Sequence, residues 1–278
     1  MSSPAAAPEF LKGHGTENDF VLLPDPDDVL DLTAGRVRAL CDRKAGIGAD
    51  GVIRVVPLRD PGPERFFMDY RNADGSMAQM CGNGARLFAR YLVDAGWAEP
   101  GSIVFRTRGG TRLARLGEVG DVAIEMGPAV LGVRSRVLVG GREFAGVAVD
   151  VGNPHLVCAG VEDEDALAAL DLTRQPGFDP EVFPDGVNVE FVSALGSEEV
   201  AMRVHERGVG ETRSCGTGTV AVAAAHLAAS GRTAGRVAVR VPGGRVTVDI
   251  GTDGSTLTGP AVLVARGRVD SGFWAAHR

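Results

Sequence analysis

Two cysteines in the same local sequence are the residues of this chain best suited to chemistry. Cys81 begins a Cys-Gly-Asn-Gly segment, and Cys215 begins a Cys-Gly-Thr-Gly segment 134 residues later (215 − 81 = 134). A run that is predicted to be helical follows each segment, so each thiol would lie at a helix N-terminus. The helix dipole and the unpaired N–H groups favour a thiolate there, and the same N–H groups suit a carboxylate. We therefore expect a site built between two related halves, with one sulfur on each face of a small ligand.

The repetition extends beyond the cysteines. Asn72 precedes Cys81 by nine residues, just as Glu206 precedes Cys215. Three further pairs of short segments match at offsets of 135, 135 and 132: Asn18–Val21 with Asn153–Leu156, Asp50–Val52 with Asp185–Val187, and Gly127–Val130 with Gly259–Val262. Each match is weak alone, but their common order and nearly constant offset predict an internal duplication of the fold.

Composition sets the limits of this interpretation. A chain of 278 residues is long enough for two domains, and its net charge of −7 argues against nucleic acid as a partner. No apolar run has the length of a membrane span, and Met1–Pro8 is expected to be a disordered lead-in rather than a signal peptide. The four cysteines show no zinc-binding spacing, so we expect reduced thiols, no metal and a cytoplasmic protein. Cys41 and Cys158 lie among apolar neighbours, which predicts buried, inert side chains.

Short strand-like segments dominate both halves, which are therefore predicted to be α+β units with strands wrapped around one central helix. Four helices are expected: Asp31–Asp42, Ala85–Ala95, Asp163–Thr173 and Thr219–Ser230. The last is apolar nearly all round, as expected of an enclosed helix, whereas Arg86 and Arg90 predict at least one solvated edge on the helix after Cys81. The chain would cross between halves near residues 128 to 136, and the tail after Ala261 would return. This places 1–128 plus 261–278 in the half with Cys81 and 129–260 in the half with Cys215.

Several motifs, spread from about residue 9 to 268, together resemble those of the diaminopimelate epimerase family. They are His14–Phe20, Asn72–Ser76, Met80–Arg86, Gly152–His155 and Glu206–Thr212 with Ser214–Gly218. The two cysteine motifs and the Glu-Arg-Gly stretch are the most specific of these.

The resemblance implies a cofactor-independent isomerase that interconverts LL- and meso-diaminopimelate, on the route to lysine and peptidoglycan. It implies a fold of two pseudo-symmetric domains, each a mixed β-sheet barrel around a central α-helix. Cys81 and Cys215 match the two acid/base residues of the family, and His155 and Glu206 match residues that tune the pKa values of the pair. Substrate-binding positions, with Glu206 among them, are implied at Asn18, Asn72, Gly82, Asn83, Asn153, Asn188, Arg207, Gly216 and Thr217.

Two positions depart from the family pattern. Most members have Gly where this chain has Glu17, so the loop before Asn18 is expected to differ. Many members have Gln where this chain has Gly51, so one substrate contact is expected to be missing or supplied by water. Neither position touches the cysteines, so both bear on affinity more than on the reaction.

Other functions fit parts of the pattern. A two-cysteine racemase of the same fold that acts on proline or hydroxyproline is the nearest alternative, and Asn83 and Arg207 argue against it. A thiol–disulfide redox protein is disfavoured by the 134-residue spacing and the lack of a CxxC motif. A binding protein for small amino acids would be distinguished by an absence of proton exchange at Cα. The expected partner is a small molecule, with a homodimer left open.

Overall fold

The structure is a computed structural model that describes residues 7–59 and 62–277, so most of the predicted lead-in Met1–Pro8 lies outside the described residues. The chain divides into two compact units. The first contains the residues up to Ile124 together with those from Pro260 onward, and the second is Glu125–Gly259. In the described part of the chain no helix is long and apolar enough to cross a bilayer.

Strands make up most of both units. In chain order they are β1 (Glu9–Gly15), β2 (Asn18–Pro24), β3 (Gly51–Pro57), β4 (Phe66–Asn72), β5 (Gly101–Thr107), β6 (Gly110–Leu116), β7 (Val122–Gly127), β8 (Val130–Val139), β9 (Arg142–Asp150), β10 (Pro154–Val161), β11 (Gly177–Phe178), β12 (Asn188–Ala194), β13 (Glu199–Glu206), β14 (Gly210–Thr212), β15 (Gly235–Val241), β16 (Gly244–Gly251), β17 (Gly254–Gly259) and β18 (Val262–Arg268). The helices are α1 (Ala34–Cys41), α2 (Gly82–Asp94), α3 (Glu164–Ala168), α4 (Gly216–Ala229) and α5 (Ser271–Ala276).

The sheet of the first unit runs in the order β18–β1–β2–β3–β4–β5–β6–β7. The pairs β2–β3 and β4–β5 are parallel, and the others are antiparallel. The strand that follows Gly259-Pro260 therefore pairs with β1, near the start of the chain.

The second unit repeats this arrangement in the order β8–β9–β10–β12–β13–β15–β16–β17. Its parallel pairs, β10–β12 and β13–β15, occupy the same places in the sequence of pairings as those of the first unit. Identical pairing order and direction in two segments of one chain are the structural counterpart of the repeat in the sequence.

One of the sequence matches is shifted in the structure. In the first unit, Gly51 pairs with Phe20 on one side and with Asn72 on the other. In the second unit, Asn188 pairs with His155, and the next residue, Val189, pairs with His205. Gly51 therefore corresponds to Asn188, at an offset of 137 rather than 135, and the match of Asp50–Val52 with Asp185–Val187 is wrong by two residues. The second unit has two more residues before the strand, and Gly186 turns there with φ of 83°.

Both central helices are enclosed by their sheets, because each contacts strands along the whole pairing order. α2 contacts β1, β2, β3, β4, β6 and β18, and α4 contacts β9, β10, β12, β13, β15, β16 and β17. α4 is apolar nearly all round, as predicted from Val220–Ala229, with His226 half-buried in its last turn.

The prediction of a solvated edge on α2 is wrong. Arg86 and Arg90 are 0% and 5% exposed. Arg90 donates from Nη1 to the carbonyls of Gly117 and Glu118 and from Nη2 to that of Gly120. Backbone carbonyls accept the hydrogen bonds of this guanidinium in place of water. A charged residue on a helix therefore does not require a solvated face.

Local capping explains where the predicted helices differ from the observed ones. Thr33 accepts the N–H of Arg36, so α1 begins three residues later than expected. Asp163 caps α3, but the helix ends at Ala168 because Asp171 accepts the N–H of Thr173 and forms a turn. α2 and α4 begin earlier than predicted, directly after their cysteines.

Phe88 on α2 tests the packing of an enclosed helix. It is 0% exposed and its ring centroid lies 5.0 Å from that of Phe105. Phe88→Ala should lower the free energy of unfolding by about 3 to 5 kcal/mol, measured by urea denaturation, because the cavity cannot collapse. Val119→Ala, at a position that is 86% exposed, should change it by less than about 0.5 kcal/mol. Equal effects at both positions would contradict the enclosure of α2.

Candidate functional site

Cys81 starts the central helix of the first unit. It is the N-cap of α2, with an extended backbone (φ −139°, ψ 121°), and its Sγ accepts the N–H of Gly84 at 3.5 Å. The first N–H groups of a helix lack partners within the helix. This helix end can therefore bind an anion beside the sulfur.

A series of polar side chains connects Cys81 to Arg86. The Cys81 thiol donates to Asn18 Oδ1 at 3.5 Å, and Asn83 Nδ2 donates to the same oxygen at 3.2 Å. Thr16 Oγ1 donates to Asn83 Oδ1 at 3.4 Å, and Arg86 Nη2 donates to Thr16 Oγ1 at 3.2 Å. The structure thus brings two predicted site residues, Asn18 and Asn83, together with the first cysteine.

Charged residues hold the other side of Asn18. Its Nδ2 donates to Asp50 Oδ2 at 2.8 Å, and Arg43 pairs with Asp50 at 2.6 Å. Asn72, a further predicted site residue, makes a different contact, because its Nδ2 donates to Ser76 Oγ at 3.0 Å and closes a turn. Gly82 lies in the buried first turn of α2.

The position where the family has glycine lies in a turn that suits glycine. Thr16 and Glu17 link β1 to β2 as a two-residue turn, and both have positive φ, of 50° and 61°. Two successive positive φ values are typical of a type I′ hairpin turn, in which glycine is favoured. Glu17 therefore adopts the conformation that the more common glycine would adopt, and the turn itself is retained.

Gly51 has no room for a side chain in this structure. A Cβ at this position would lie 2.5 Å from the carbonyl oxygen of Arg71 and 2.7 Å from Cε2 of the Tyr70 ring. The Tyr70 ring thus fills the space next to Gly51 that a longer side chain would need.

Cys215 is the N-cap of the second central helix, α4, and is 6% exposed. Its Sγ lies 3.6 Å from Oγ1 of Thr217, a predicted site residue, and Gly216 is buried beside it. Burial, followed by the negative charges of Glu206 and Glu190, raises the pKa of the Cys215 thiol well above 9.0. The environment of this sulfur favours the neutral thiol.

Glu206 lies beside Cys215 at the end of β13. It accepts hydrogen bonds from the Thr212 hydroxyl and from the Cys215 thiol. Burial raises the pKa of Glu206, and the charge of Glu190 raises it further. The structure therefore brings Glu206, Thr217 and Cys215 together.

His155 makes a buried contact with Glu190 that the sequence did not reveal in full. Its Nδ1 lies 2.6 Å from Glu190 Oε1, both side chains are 0% exposed, and Nε2 lies 3.1 Å from Asn153 Oδ1. Both ring nitrogens thus lie within hydrogen-bond distance of side-chain oxygens. Glu190 contacts the start of α4, since a Cβ on Gly218 would lie 2.6 Å from Glu190 Oε1. A carboxylate within the apolar run of β12 was the signal that could have identified it.

Asn188 and Arg207 contact each other. Asn188 Oδ1 accepts the backbone N–H of Arg207 at 2.9 Å, and its Nδ2 donates to the Pro154 carbonyl at 3.1 Å. The exposed Arg207 side chain donates from Nη1 to the carbonyl of Asp185 at 3.0 Å. Asn188 thus positions the backbone next to Glu206, and the Arg207 side chain lies at the surface.

The other two cysteines are buried, as predicted, and burial raises the pKa of both Cys41 and Cys158 to about 12. Among residues 7–59 and 62–277, no group of three or more His, Cys, Asp or Glu side chains could hold a metal ion.

The raised pKa of Glu206 predicts a pH effect on stability. Its folded pKa lies above its value of 4.5 in the unfolded chain, so the folded protein binds more protons between the two values. Stability should therefore fall as pH rises through this window. Glu206→Gln removes this penalty, so the variant should gain stability relative to the wild type as pH rises from about 4.5. Urea denaturation at a series of pH values measures this, with the exposed Glu118→Gln as control for the lost charge. A parallel pH course for wild type and Glu206→Gln would contradict it.

Comparisons with known proteins agree with this geometry. The family model for diaminopimelate epimerase matches residues 10–132 and 147–265. A diaminopimelate epimerase of Rhodococcus jostii is 51% identical, over 96% of this chain and 98% of its own. One of Mycobacterium tuberculosis is 52% identical, over 96% of this chain and 99% of its own.

Solved structures of lower identity share the fold. A phenazine biosynthesis protein of the PhzF family from Bacillus anthracis has a TM-score of 0.73 at 15% identity, covering 95% of this chain and 99% of its own. A hydroxyproline epimerase from Agrobacterium vitis has a TM-score of 0.66 at 15% identity, covering 95% and 93%. The fold is thus shared by proteins of different names, and fold alone does not distinguish their functions. With a family model that spans most of its length and relatives above 50% identity, the chain belongs to the diaminopimelate epimerase family.

Proposed function

We propose that the protein is an isomerase that interconverts LL- and meso-diaminopimelate in lysine and peptidoglycan precursor biosynthesis. Membership of the family supports this substrate. The single observation that carries the chemistry is the placement of Cys81 and Cys215, each as the N-cap of the enclosed helix in one of two units of identical pairing order.

The reaction inverts one α-carbon without any net change in composition. One cysteine, as thiolate, removes the proton from Cα, so that an S–H bond forms as the C–H bond breaks. The electron pair remains on Cα and its carboxylate, and the thiol of the other cysteine delivers a proton to the opposite face. The proposal therefore requires both sulfurs to reach one substrate carbon, and their titrations belong to the pair.

Helix ends stabilise the charge that develops in this reaction. The N–H groups of Gly82 and Asn83, and those of Gly216 and Thr217, lie in the first turns of α2 and α4. We assign them to the reacting carboxylate, because fixed N–H dipoles stabilise a developing negative charge without reorganising. No electron-withdrawing cofactor is part of this proposal.

The remaining predicted residues are assigned to substrate binding and to the protonation state of the cysteines. Glu206 and the His155–Glu190 pair set the charge around Cys215. Asn18 and Asn83 orient Cys81. Arg207 is assigned to the distal carboxylate, together with binding roles for Asn72, Asn153 and Asn188, because a guanidinium presents two parallel donors to a carboxylate.

Proton exchange tests the function and the two thiols together. Wild-type enzyme with LL-diaminopimelate in D2O and reductant should form the meso isomer with deuterium at Cα, followed by NMR. Cys81→Ala and Cys215→Ala should each lower kcat at least about a thousandfold, because each face loses its acid/base group.

The other cysteines provide matched controls. Cys41→Ala and Cys158→Ala remove buried thiols whose pKa values are raised to about 12, so turnover should stay near that of the wild type. Near-normal turnover by either catalytic variant would refute the two-thiol mechanism. Exchange with proline in place of diaminopimelate would refute the substrate, and binding without exchange would identify a binding protein.

Arg207 tests the substrate's distal end. Arg207→Met should lower kcat/KM for diaminopimelate by roughly a hundredfold or more, because a carboxylate would lose a charged partner. The backbone N–H of Arg207, which bonds Asn188, is unchanged by the substitution. Arg240→Met, which removes an exposed arginine paired with Glu199, should leave kcat/KM unchanged. Wild-type kcat/KM in Arg207→Met would place the distal carboxylate elsewhere.

We also propose a cytoplasmic location, because the cysteines of the described residues are all free and the reaction needs reduced thiols. The homodimer stays a prediction.

A further inference from the structure

Arg86 is a fully buried cation whose hydrogen bonds all go to neutral groups. Its Nε donates to the Pro260 carbonyl at 3.2 Å and its Nη2 to Thr16 Oγ1 at 3.2 Å. Its Nη1 is buried and has no hydrogen-bond partner among the described residues. Buried charges are usually paired with an opposite charge. The arrangement therefore calls for an anion that acts on this guanidinium.

The anion that fits is the thiolate of Cys81. Burial lowers the pKa of Arg86 to about 10, so the side chain stays charged at neutral pH. Two negative charges oppose this lowering, and the Cys81 thiolate contributes more than Asp121. Arg86 follows Cys81 by five residues on the same helix, and Thr16, Asn83 and Asn18 connect the two side chains.

We propose that Arg86 is a positioning residue that stabilises the thiolate of Cys81, so that Cys81 gives up its proton before Cys215. The proposal rests on the two-thiol function above and decides which thiol is charged in the free enzyme. Coulomb attraction is mutual, so a thiolate that favours the charged guanidinium is favoured by it to the same extent.

Two hydrogen bonds at Cys81 act in opposite directions on its charge. The Asn18 carbonyl oxygen accepts from the thiol and favours the neutral form, whereas the N–H of Gly84 donates to sulfur and favours the thiolate. Both are neutral contacts at 3.5 Å to a weakly bonding atom, and they act in opposite directions. Because these two contacts oppose each other, a nearby charge can shift the balance between thiol and thiolate.

The negative charges on neighbouring elements are largely compensated. Asp50, which accepts from Asn18, is paired with Arg43 at 2.6 Å. Glu17 on the β1–β2 turn is exposed and screened by water. Asp121 acts on Arg86 less strongly than the thiolate does. Arg86 itself is shielded from water, so its charge acts at short range through a medium of low dielectric constant.

The second unit has the opposite charges around its cysteine. The position that corresponds to Arg86, five residues after Cys215, is Val220. Glu206 hydrogen-bonds the Cys215 thiol, and Glu190 adds a second negative charge. With two carboxylates at one sulfur and an arginine acting on the other, the two thiols differ in how readily they lose a proton before substrate binds.

The rate of alkylation reports the protonation state of each thiol and does not require turnover. The reduced enzyme is treated with iodoacetamide over about pH 5 to 10, and the rate at each cysteine is read from peptide masses. The midpoint of each pH profile is compared rather than its rate, because exposure changes the rate but not the midpoint. In the wild type the midpoint of Cys81 should lie below that of Cys215.

Variants of Arg86 test the cause. Arg86→Met and Arg86→Gln should each raise the Cys81 midpoint by about one pH unit or more, which is a tenfold loss of thiolate at a given pH. The acid limb of the kcat/KM profile should shift in the same direction. Arg86→Lys keeps the charge and should recover much of the shift. Arg90→Met removes a buried guanidinium of the same helix that donates to the carbonyls of Gly117, Glu118 and Gly120 and pairs with Asp94 at 3.6 Å. It should leave the midpoint in place.

The outcomes separate this inference from the function. A Cys215 midpoint below that of Cys81 in the wild type, which needs no variant to fold, overturns the order of titration. An unmoved Cys81 midpoint in whichever neutral Arg86 variant folds, or an equal shift in Arg90→Met, overturns the role of Arg86. Failure of exchange by wild-type enzyme overturns the proposed function instead, whatever the alkylation profiles show.

Discussion

A helix that is surrounded by a sheet can meet a ligand only at its ends, and this constraint organises both units. α2 and α4 contact strands along the whole pairing order of their sheets, so their sides are closed. The amino end carries unpaired N–H groups and the positive end of the dipole. A cysteine at the N-cap is therefore placed where a thiolate is stabilised and where a carboxylate binds. Gly84 and Gly218 let the first turns pack closely, since a Cβ would lie 3.0 Å from Ile53 Cδ1 and 2.6 Å from Glu190 Oε1 respectively.

The two units share a backbone arrangement but differ in charge. Phe20, on β2, corresponds to His155 on β10, and Arg86 corresponds to Val220. With the two-residue shift at β3 and β12, Ile53 corresponds to Glu190. The first unit thus has a buried cation on the helix that begins at its cysteine, whereas the second has two carboxylates, one of which contacts a histidine. The proposed inversion needs two groups in different protonation states, and under that proposal a few side chains of a duplicated scaffold supply the difference.

Much of this could be predicted from the sequence, because the relevant signals are local. The repeat, the helices after each cysteine and the burial of Cys41 and Cys158 follow from short motifs and apolar neighbours. The prediction of a solvated edge on α2 is wrong because the acceptors of Arg90 lie in the 117–120 loop. The periodicity of the helix carries no information about that loop. The Glu190–His155 pair joins strands that are 35 residues apart in sequence, and the shift in the repeat depends on strand register. Register and buried ion pairs are set by tertiary contacts, which a single sequence does not display.

The pairing of β18 with β1 has a consequence for how the protein is made. The second unit is one continuous segment, Glu125–Gly259, and all of it leaves the ribosome before the residues from Pro260 onward. Strand β1 has β2 on one side, and its other edge is paired by β18. Until the last residues emerge, the nascent chain therefore carries an open strand edge, the kind of surface that pairs with the wrong partner. The first unit, whose synthesis begins first, is therefore completed last. A chain that terminates before β18 would expose this edge permanently.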